Sequence, residues 1–161
     1  MELAGKVAIV TGSATGVGRA TALALARRGC GVVVNYSRSE EEARQTFAEV
    51  QALEVPTILV QCDVSNDRAV RAMVQRTLQE LGRVDILVNN AATTFFVPHQ
   101  DLEGLTEEMW DRILAVNVKG AFFCARAVAA PMKAQGEGAI VNVSSVAGVR
   151  GGGSSIAYAA S

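Results

Sequence analysis

The sequence predicts an α/β chain: an open, parallel, doubly wound sheet with helices on both of its faces. Three observations carry that reading. Five short runs, at residues 6–11, 32–36, 57–61, 84–89 and 139–144, are almost continuously apolar, as strands buried on both faces are. Between them, apolar residues recur at helical spacing. The first run passes directly into Thr11-Gly-Ser-Ala-Thr-Gly-Val-Gly18, a glycine-rich turn that opens a helix. Such a turn is how a parallel sheet offers a helix N-terminus to a phosphate.

Each element follows from its residues. The first strand is KVAIV, and an alanine-rich pattern from Arg19 to Arg28 continues the helix begun at the turn. Gly12 allows the sharp turn, Gly16 removes a Cβ where backbone must approach a pyrophosphate, and Gly18 lets the helix pack close to the sheet. Dinucleotide binding is therefore expected at Gly12, Ser13, Thr15, Gly16, Val17 and Gly18; without a ligand, the same residues would make a tight strand-to-helix turn. The second strand ends at Tyr36. Ser39 with Glu42 reads as a capping box for a helix with Ala43, Phe47 and Val50 on one face and Pro56 beyond its end. After the third strand, Ser65 or Asn66 caps a helix whose Val70, Met73, Val74, Thr77, Leu78 and Leu81 form one stripe, closed by Gly82. Thr106-Glu-Glu then starts a long helix, acids first as the dipole favours, expected to run to about residue 130. Segments 91–105 and 145–156 stand outside the alternation. Both follow strand C-terminal ends, where open α/β sheets bind ligands.

Composition bounds the rest. A chain of 161 residues, half of them hydrophobic, suits one domain with a substantial core, so residues 1–161 read as a single dinucleotide-binding domain. A net charge of −1 offers no basic excess for nucleic acid. Cys30, Cys62 and Cys124 are odd in number and scattered, with no CxxC or Cys/His cluster; neither a disulfide framework nor a metal site is expected. The opening Met1-Glu-Leu-Ala-Gly-Lys6 leads straight into a strand, leaving no room for a signal peptide. No apolar run approaches a membrane span by this reading, so the chain is expected to be cytoplasmic.

The motifs Thr11–Gly18 (TGSATGVG), Asp63-Val64, Asn89-Asn-Ala91, Asn117-Val-Lys-Gly120, Ser145 and Tyr158, in that order, resemble the short-chain dehydrogenase/reductase family over its N-terminal two-thirds. The run Ile140-Val-Asn-Val-Ser-Ser-Val-Ala-Gly148 is most similar to the 3-oxoacyl-acyl-carrier-protein reductase-like branch. The resemblance implies a Rossmann-type fold and an oxidoreductase. It also implies a nicotinamide cofactor, a small carbonyl or alcohol substrate with an acyl thioester among the candidates, and a homo-oligomer.

Carbonyl chemistry asks for two kinds of group. A carbonyl that gains hydride becomes an alkoxide and needs a proton, which a tyrosine phenol can give; phenols ordinarily titrate near 10, so one acting as a base near neutrality must be shifted downward. A serine hydroxyl can hold the carbonyl oxygen by a hydrogen bond. On its own, a tyrosine in a Gly/Ser/Ala stretch reads as a packing residue. The resemblance makes Tyr158 the general acid/base and Ser145 the orienting residue, with the thirteen-residue spacing favouring Ser145 over Ser144. It makes Asn117 the catalytic residue that kinks the long helix and anchors a water, where the residue alone reads as a local hydrogen-bonding polar group. Asn89 and Asn90 steady the central strand near the cofactor, followed by Ala91 and by Ala92 where the family pattern has glycine. Asp63, beside Val64, resembles the residue that hydrogen-bonds adenine, and alone reads equally as a helix cap.

Cofactor choice is read at the end of the second strand. A carboxylate there holds a ribose 2′-OH, but this chain has Asn35-Tyr36-Ser37-Arg38 and no acid before Glu40. Ser37 and Arg38 can bind a 2′-phosphate that a carboxylate would repel. NADP(H) is therefore the expected cofactor, with NAD(H) left open. The segment Thr93-Thr-Phe-Phe-Val-Pro-His-Gln100 is expected on the substrate side, Phe95 and Phe96 reading as core or pocket and His99 as a loop residue. The family pattern is tyrosine, three residues, then lysine. Counted from Tyr158, that lysine falls directly after Ser161, so the catalytic set is expected to need residues beyond it. A non-catalytic nucleotide-binding or regulatory module is the alternative expectation.

Overall fold

The computed structural model describes residues 2–161, and Met1, where the N-terminal reading begins, lies outside them. Its strands are β1 (Val7–Val10), β2 (Gly31–Tyr36), β3 (Thr57–Gln61), β4 (Ile86–Asn89) and β5 (Ala139–Asn142). They form one parallel sheet in the order β3-β2-β1-β4-β5. The winding reverses between β1 and β4, which makes the crevice above those two strands the place where such a sheet takes ligands. This is the doubly wound parallel sheet that the apolar runs predict, in the Rossmann-type form that the resemblance implies.

Side chains alternate along each strand and build a core on each face. Ala8, Val10, Val32, Val34, Ile86 and Val88 pack against helices α1 (Gly16–Ala26) and α2 (Glu40–Gln51). Ile9, Val33, Ile58, Val60 and Leu87 pack on the opposite face, against α3 (Asp67–Leu81) and the later half of the long helical run. The stripe from Val70 to Leu81 faces the core as expected, with Val70, Met73, Val74 and Thr77 buried and Leu78 and Leu81 half-buried against it. Asn66, not Ser65, caps α3: its Oδ1 accepts from the Ala69 amide at 3.1 Å. Gly82 closes the helix at φ +79, a conformation open to glycine. β5 is an edge, paired only with β4, and exposes Ile140 and Val141.

Three local expectations are corrected. Ser39 precedes α2 without a capping hydrogen bond, because its backbone, at ψ 68, is not the extended conformation that aims a hydroxyl at the first turn. The helix begun at Thr106 runs through α4 (Glu107–Leu114), a π-helical stretch Ala115–Gly120 and α5 (Ala121–Gln135), passing Pro131. Pro131 removes one backbone donor, but Met132 beyond it is buried in the core, and that packing carries the helix on. This run, Glu107–Gln135, is also long and apolar enough to cross a membrane by length and composition, contrary to expectation. One face of it serves the sheet, with Val116, Cys124, Val128 and Met132 in the core shared by the strands and α3, while Val118 and Phe122 on other faces are exposed.

At the N-terminal edge of the sheet an ionic cluster ties the elements together. The fully buried Asp85 accepts from the Val7 amide at 2.9 Å and from Arg83 at 2.6 and 2.7 Å. Lys6 and Arg83 also pair with Glu137, just before β5. Burial works against the Asp85 charge, but the bonds from Arg83 and Val7, with Lys6 nearby, hold its carboxyl below the usual range. Such a group stabilises the fold at pH values above the ordinary carboxylate pKa of about 4, and that contribution fades as pH falls below it. Asp85→Ala is expected to destabilise by about 2–3 kcal/mol, mostly through the orphaned Val7 amide, since Arg83 can regain water. Urea denaturation at pH 7 and pH 3 should show the difference between variant and parent shrinking at the lower pH.

Candidate active site at the carboxyl edge of the sheet

The glycine turn between β1 and α1 is held by two side-chain amides. From the end of β2, Asn35 accepts from the Gly12 amide at 3.0 Å through Oδ1, while its Nδ2 donates to the carbonyls of Cys62 at 3.1 Å and Val60 at 3.3 Å. The Asn35 backbone exchanges bonds with Ser13, at 2.9 Å from the Ser13 amide and 2.9 Å to its Oγ. From the end of β4, Asn90 donates through Nδ2 to the carbonyls of Thr11 at 2.9 Å and Gly12 at 3.1 Å. The Thr11 hydroxyl in turn accepts from the amides of Asn90 and Ala91, each at 3.0 Å.

The turn leaves room above itself. Thr15, Gly16 and Val17 are exposed, and Thr15 makes no side-chain cap to the first turn of α1. The first-turn amides of α1 therefore point outward with the positive end of its dipole. Gly16 sits at φ +56, and a Cβ there would meet nothing within 4 Å. A pyrophosphate fits this open, donor-lined cradle. A Cβ on Gly18 would instead collide with Asn90 Nδ2 and the Gly12 carbonyl, which is the close helix–sheet approach expected of it.

Three cavities border the strip Ala91-Ala92: one of about 290 Å³ lies over the glycine turn, with Thr15, Ser37 and Ser39 on its walls, and two others flank the strip. The larger, about 530 Å³, takes its walls from both loops and from the π-helical stretch, and brings Asn117, Ser144, Ser145 and Tyr158 together with Asn90 and Val17. The smaller, about 150 Å³, is lined by Ser37, Arg38, Asp63 and Arg112, with Val64 shared between the two. Tyr158 lines the larger of these flanking cavities and Asp63 the smaller, and residues of the glycine turn border both.

The predicted residues differ in what they are free to do. Ser37 and Arg38 are exposed, and Arg38 forms no ion pair among the described residues. Asn35 is buried with its amide committed to the fold, and Tyr36 is buried against Ala14, Ala43 and Leu59. Asp63 accepts from the Ser65 amide and hydroxyl at 3.0 and 2.7 Å and pairs with Arg112 at 2.9 Å. Burial opposes its charge, but Ser65 and Arg112 together lower its pKa.

Asn117 lies in the π-helical stretch, where the wider turn re-aims a side chain. Its Oδ1 accepts from the Thr93 amide at 2.8 Å and its Nδ2 donates to the Thr93 carbonyl at 3.1 Å. Nδ2 also donates to the Ser161 hydroxyl at 2.8 Å, which donates to the Tyr158 carbonyl at 2.9 Å. Ser145 Oγ accepts from the Ala147 amide at 3.2 Å, and Ser155 Oγ caps the turn Ile156–Ala159 that carries Tyr158. The two loops are stitched together by the Val97 amide on the Ser154 carbonyl and by contact of the Thr94 and Ser154 hydroxyls. Phe95 is half-buried, Phe96 exposed, and His99 half-buried away from both cavities. Asn142 and Arg112 were not singled out by sequence. Asn142 accepts from Asn89 Nδ2 at 2.8 Å across the β4–β5 pair; its place in an apolar strand was the available signal. Arg112 carries no such signal.

This fold, with a glycine turn and a tyrosine–serine–asparagine cavity at one sheet edge, is that of the short-chain dehydrogenases, and the chain belongs to that family: the short chain dehydrogenase profile matches residues 6–161. It is 43% identical, over 96% of its length and 61% of the relative's, to a protein designated putative ketoacyl reductase 2 of the granaticin polyketide synthase in Streptomyces violaceoruber. It is 41% identical to a 3-oxoacyl-[acyl-carrier-protein] reductase of Synechocystis, over 92% of this chain and 59% of that one. A crystal structure of an NAD+-bound xylitol dehydrogenase superposes with a TM-score of 0.91 at 35% identity, covering 99% of this chain and 60% of the other. The chain thus spans about three-fifths of the length of these relatives.

Two glycine substitutions separate packing from ligand space. Gly18→Ala is expected to cost about 2 kcal/mol by overpacking the Asn90–Gly12 contact. Gly16→Ala is expected to cost about 1 kcal/mol, from its positive φ alone, yet to weaken nucleotide binding more, because its methyl enters the cradle. Chemical denaturation and nucleotide titration of both variants check the two halves of this contrast.

Proposed function

We propose that the protein is an NADP(H)-dependent oxidoreductase that interconverts a carbonyl and a secondary alcohol, with a 3-oxoacyl thioester as the favoured substrate class. The observation that carries the reading is one cavity holding Asn117, Ser145 and Tyr158 at the end of the glycine turn. Relatives named as ketoacyl and 3-oxoacyl-[acyl-carrier-protein] reductases support the substrate class. The cofactor supplies hydride to the carbonyl carbon when bound. Ser145 donates a hydrogen bond to the carbonyl oxygen and fixes its direction. Tyr158 gives its phenolic proton to that oxygen as the C–O double bond becomes single, and takes it back when the alcohol is oxidised. Asn117 holds the Thr93 backbone on one side and the Ser161 hydroxyl on the other, keeping the Tyr158 turn over the cavity. The lysine that the resemblance implies would follow Ser161, so the proposal concerns the protein at its relatives' length.

The preference for NADP(H) rests on Arg38. It is exposed at the rim of the smaller cavity beside Ser37, and the nearby carboxylate, Asp63, is already paired with Arg112. Arg38→Ala is expected to weaken NADPH about tenfold to a hundredfold, the value of a charge-assisted contact, while changing NADH little. Cofactor fluorescence titration reads both; equal losses for the two cofactors would sink the preference.

Tyr158→Phe keeps the ring and removes the proton donor. Turnover of a 3-oxoacyl thioester is expected to fall by about a hundredfold or more, with NADPH affinity nearly unchanged. Retained turnover would assign Tyr158 to packing and the proton to another group.

A further inference from the structure

We infer that Phe96 is a specificity-determining residue, an aromatic contact at the mouth of the larger cavity for the apolar arm of an acyl substrate beyond its reacting carbonyl. The inference rests on the carbonyl-reductase reading above and goes past it to chain length and to a residue outside the catalytic set.

Phe96 stands out by how it is held. It is 88% exposed, while Val97 beside it is only 8% exposed. The backbone is tied on both sides of the ring. Asn117 bonds the amide and the carbonyl of Thr93, and the Thr94 hydroxyl meets that of Ser154. After the ring, the Val97 amide donates to the Ser154 carbonyl at 2.8 Å. A fixed backbone thus holds a phenyl ring out toward solvent, where it gives the fold little of the burial that usually stabilises one. The tethers lead to the catalytic groups. Asn117 lines the larger cavity, and Ser154 adjoins Ser155, whose hydroxyl caps the turn carrying Tyr158.

The loop after β5 also turns apolar side chains outward. Ser145 leads into α6 (Ala147–Arg150), where the Gly148 amide bonds the Ser145 carbonyl and the Val149 amide the Val146 carbonyl, stacking residues three apart. Ser145 and Gly148 line the larger cavity. Val146 and Val149 form the adjacent face, and both are exposed, at 72% and 90%. Two loops that meet at Ser154 therefore carry exposed apolar side chains, and each loop runs into a cavity wall. Single exposed apolar residues are ordinary on a surface; three on two joined loops beside one cavity mark a surface for an apolar ligand.

The occupant follows from the chemistry. Ser145 and Tyr158 fix the carbonyl oxygen, so the two arms of a 3-oxoacyl thioester leave the cavity in different directions. The thioester arm is polar, and the acyl arm is aliphatic. Apolar side chains at the rim suit the acyl arm, and each methylene that they cover favours binding by up to about fourfold. A ring fixed in advance needs little further ordering when the arm settles on it. Phe96 is the only aromatic residue among these side chains and offers the largest area of contact.

The test compares 3-oxobutyryl and 3-oxooctanoyl thioesters of N-acetylcysteamine, reduced with NADPH by the protein at its relatives' length and by Phe96→Ala and Phe96→Leu. The readout is the ratio of kcat/KM for the longer substrate to that for the shorter. The parent is expected to favour the longer acyl arm about tenfold or more. Phe96→Ala is expected to lower that ratio about tenfold, with melting unchanged because the exposed ring is not part of the core. Phe96→Leu keeps apolar surface and should hold the ratio within about threefold of the parent's. A parental ratio in Phe96→Ala overturns the inference and leaves the reductase reading standing, as does a parent without preference for the longer arm. A marked drop in the melting temperature of Phe96→Ala would make the ring a packing residue, and a change in its sedimentation would make the ring a contact between copies of the chain; either result also overturns the inference. A parent that reduces neither thioester overturns both the inference and the reading on which it rests.

Discussion

Two side-chain amides, Asn35 and Asn90, hold the turn between β1 and α1 from opposite sides, and the rest of the site takes its position from that turn. Asn35 reaches it from β2 and at the same time grips the carbonyls at the end of β3. Asn90 reaches it from β4. The strand ends around the switch in winding are therefore tied to one loop whose first-turn amides stay free. A loop that must leave donors unpaired for an anion cannot be held by those donors. It has to be held from beneath, and buried amides with both donor and acceptor atoms suit that task.

The two edges of the sheet treat polar groups in opposite ways. At the N-terminal edge, Asp85, Arg83, Lys6 and Glu137 satisfy one another and close the structure. At the C-terminal edge, groups are fixed in place but left with capacity. Arg38 has no ion pair among the described residues, Asp63 stands only half-buried on a cavity wall, and Ser145 and Tyr158 line a cavity. Buried polar groups without partners are costly, so this capacity is found where cavities admit water or ligand.

The π-helical stretch Ala115–Gly120 connects the two loops that wall the larger cavity. Through it Asn117 clasps the Thr93 backbone of one loop and the Ser161 hydroxyl beyond the other. Gly120 within the same stretch lets it pack on Val64, which borders both cavities. The irregular helix is thus a brace between the Ala91-Ala92 strip and the loops, and of a run whose composition alone is that of a membrane span, one face is turned to the sheet.

Much of this was legible in the chain. The apolar runs marked the strands because burial on both faces removes the polar alternation that a one-sided sheet would show. The glycine turn, the Val70–Leu81 stripe and the Gly82 terminator are local signals, set by backbone sterics and helical period, and they appear where the residues place them. Family motifs pointed to Asn117, Ser145 and Tyr158, and the fold brings all of them to one cavity. What the residues could not settle were pairings across the chain. Whether Ser39 caps α2 depended on a backbone angle, and whether Pro131 ended a helix depended on the burial of Met132. Asn35 reads in sequence as a cofactor contact, whereas its amide is bonded to Gly12, Val60 and Cys62. Arg112 meets Asp63 from beyond a helix, a strand and a long loop. Local propensity is written in neighbours along the chain, and it decided the elements; hydrogen-bond and charge partners are chosen by which strand ends and helices the folded sheet brings within reach, and only the tertiary structure decides that.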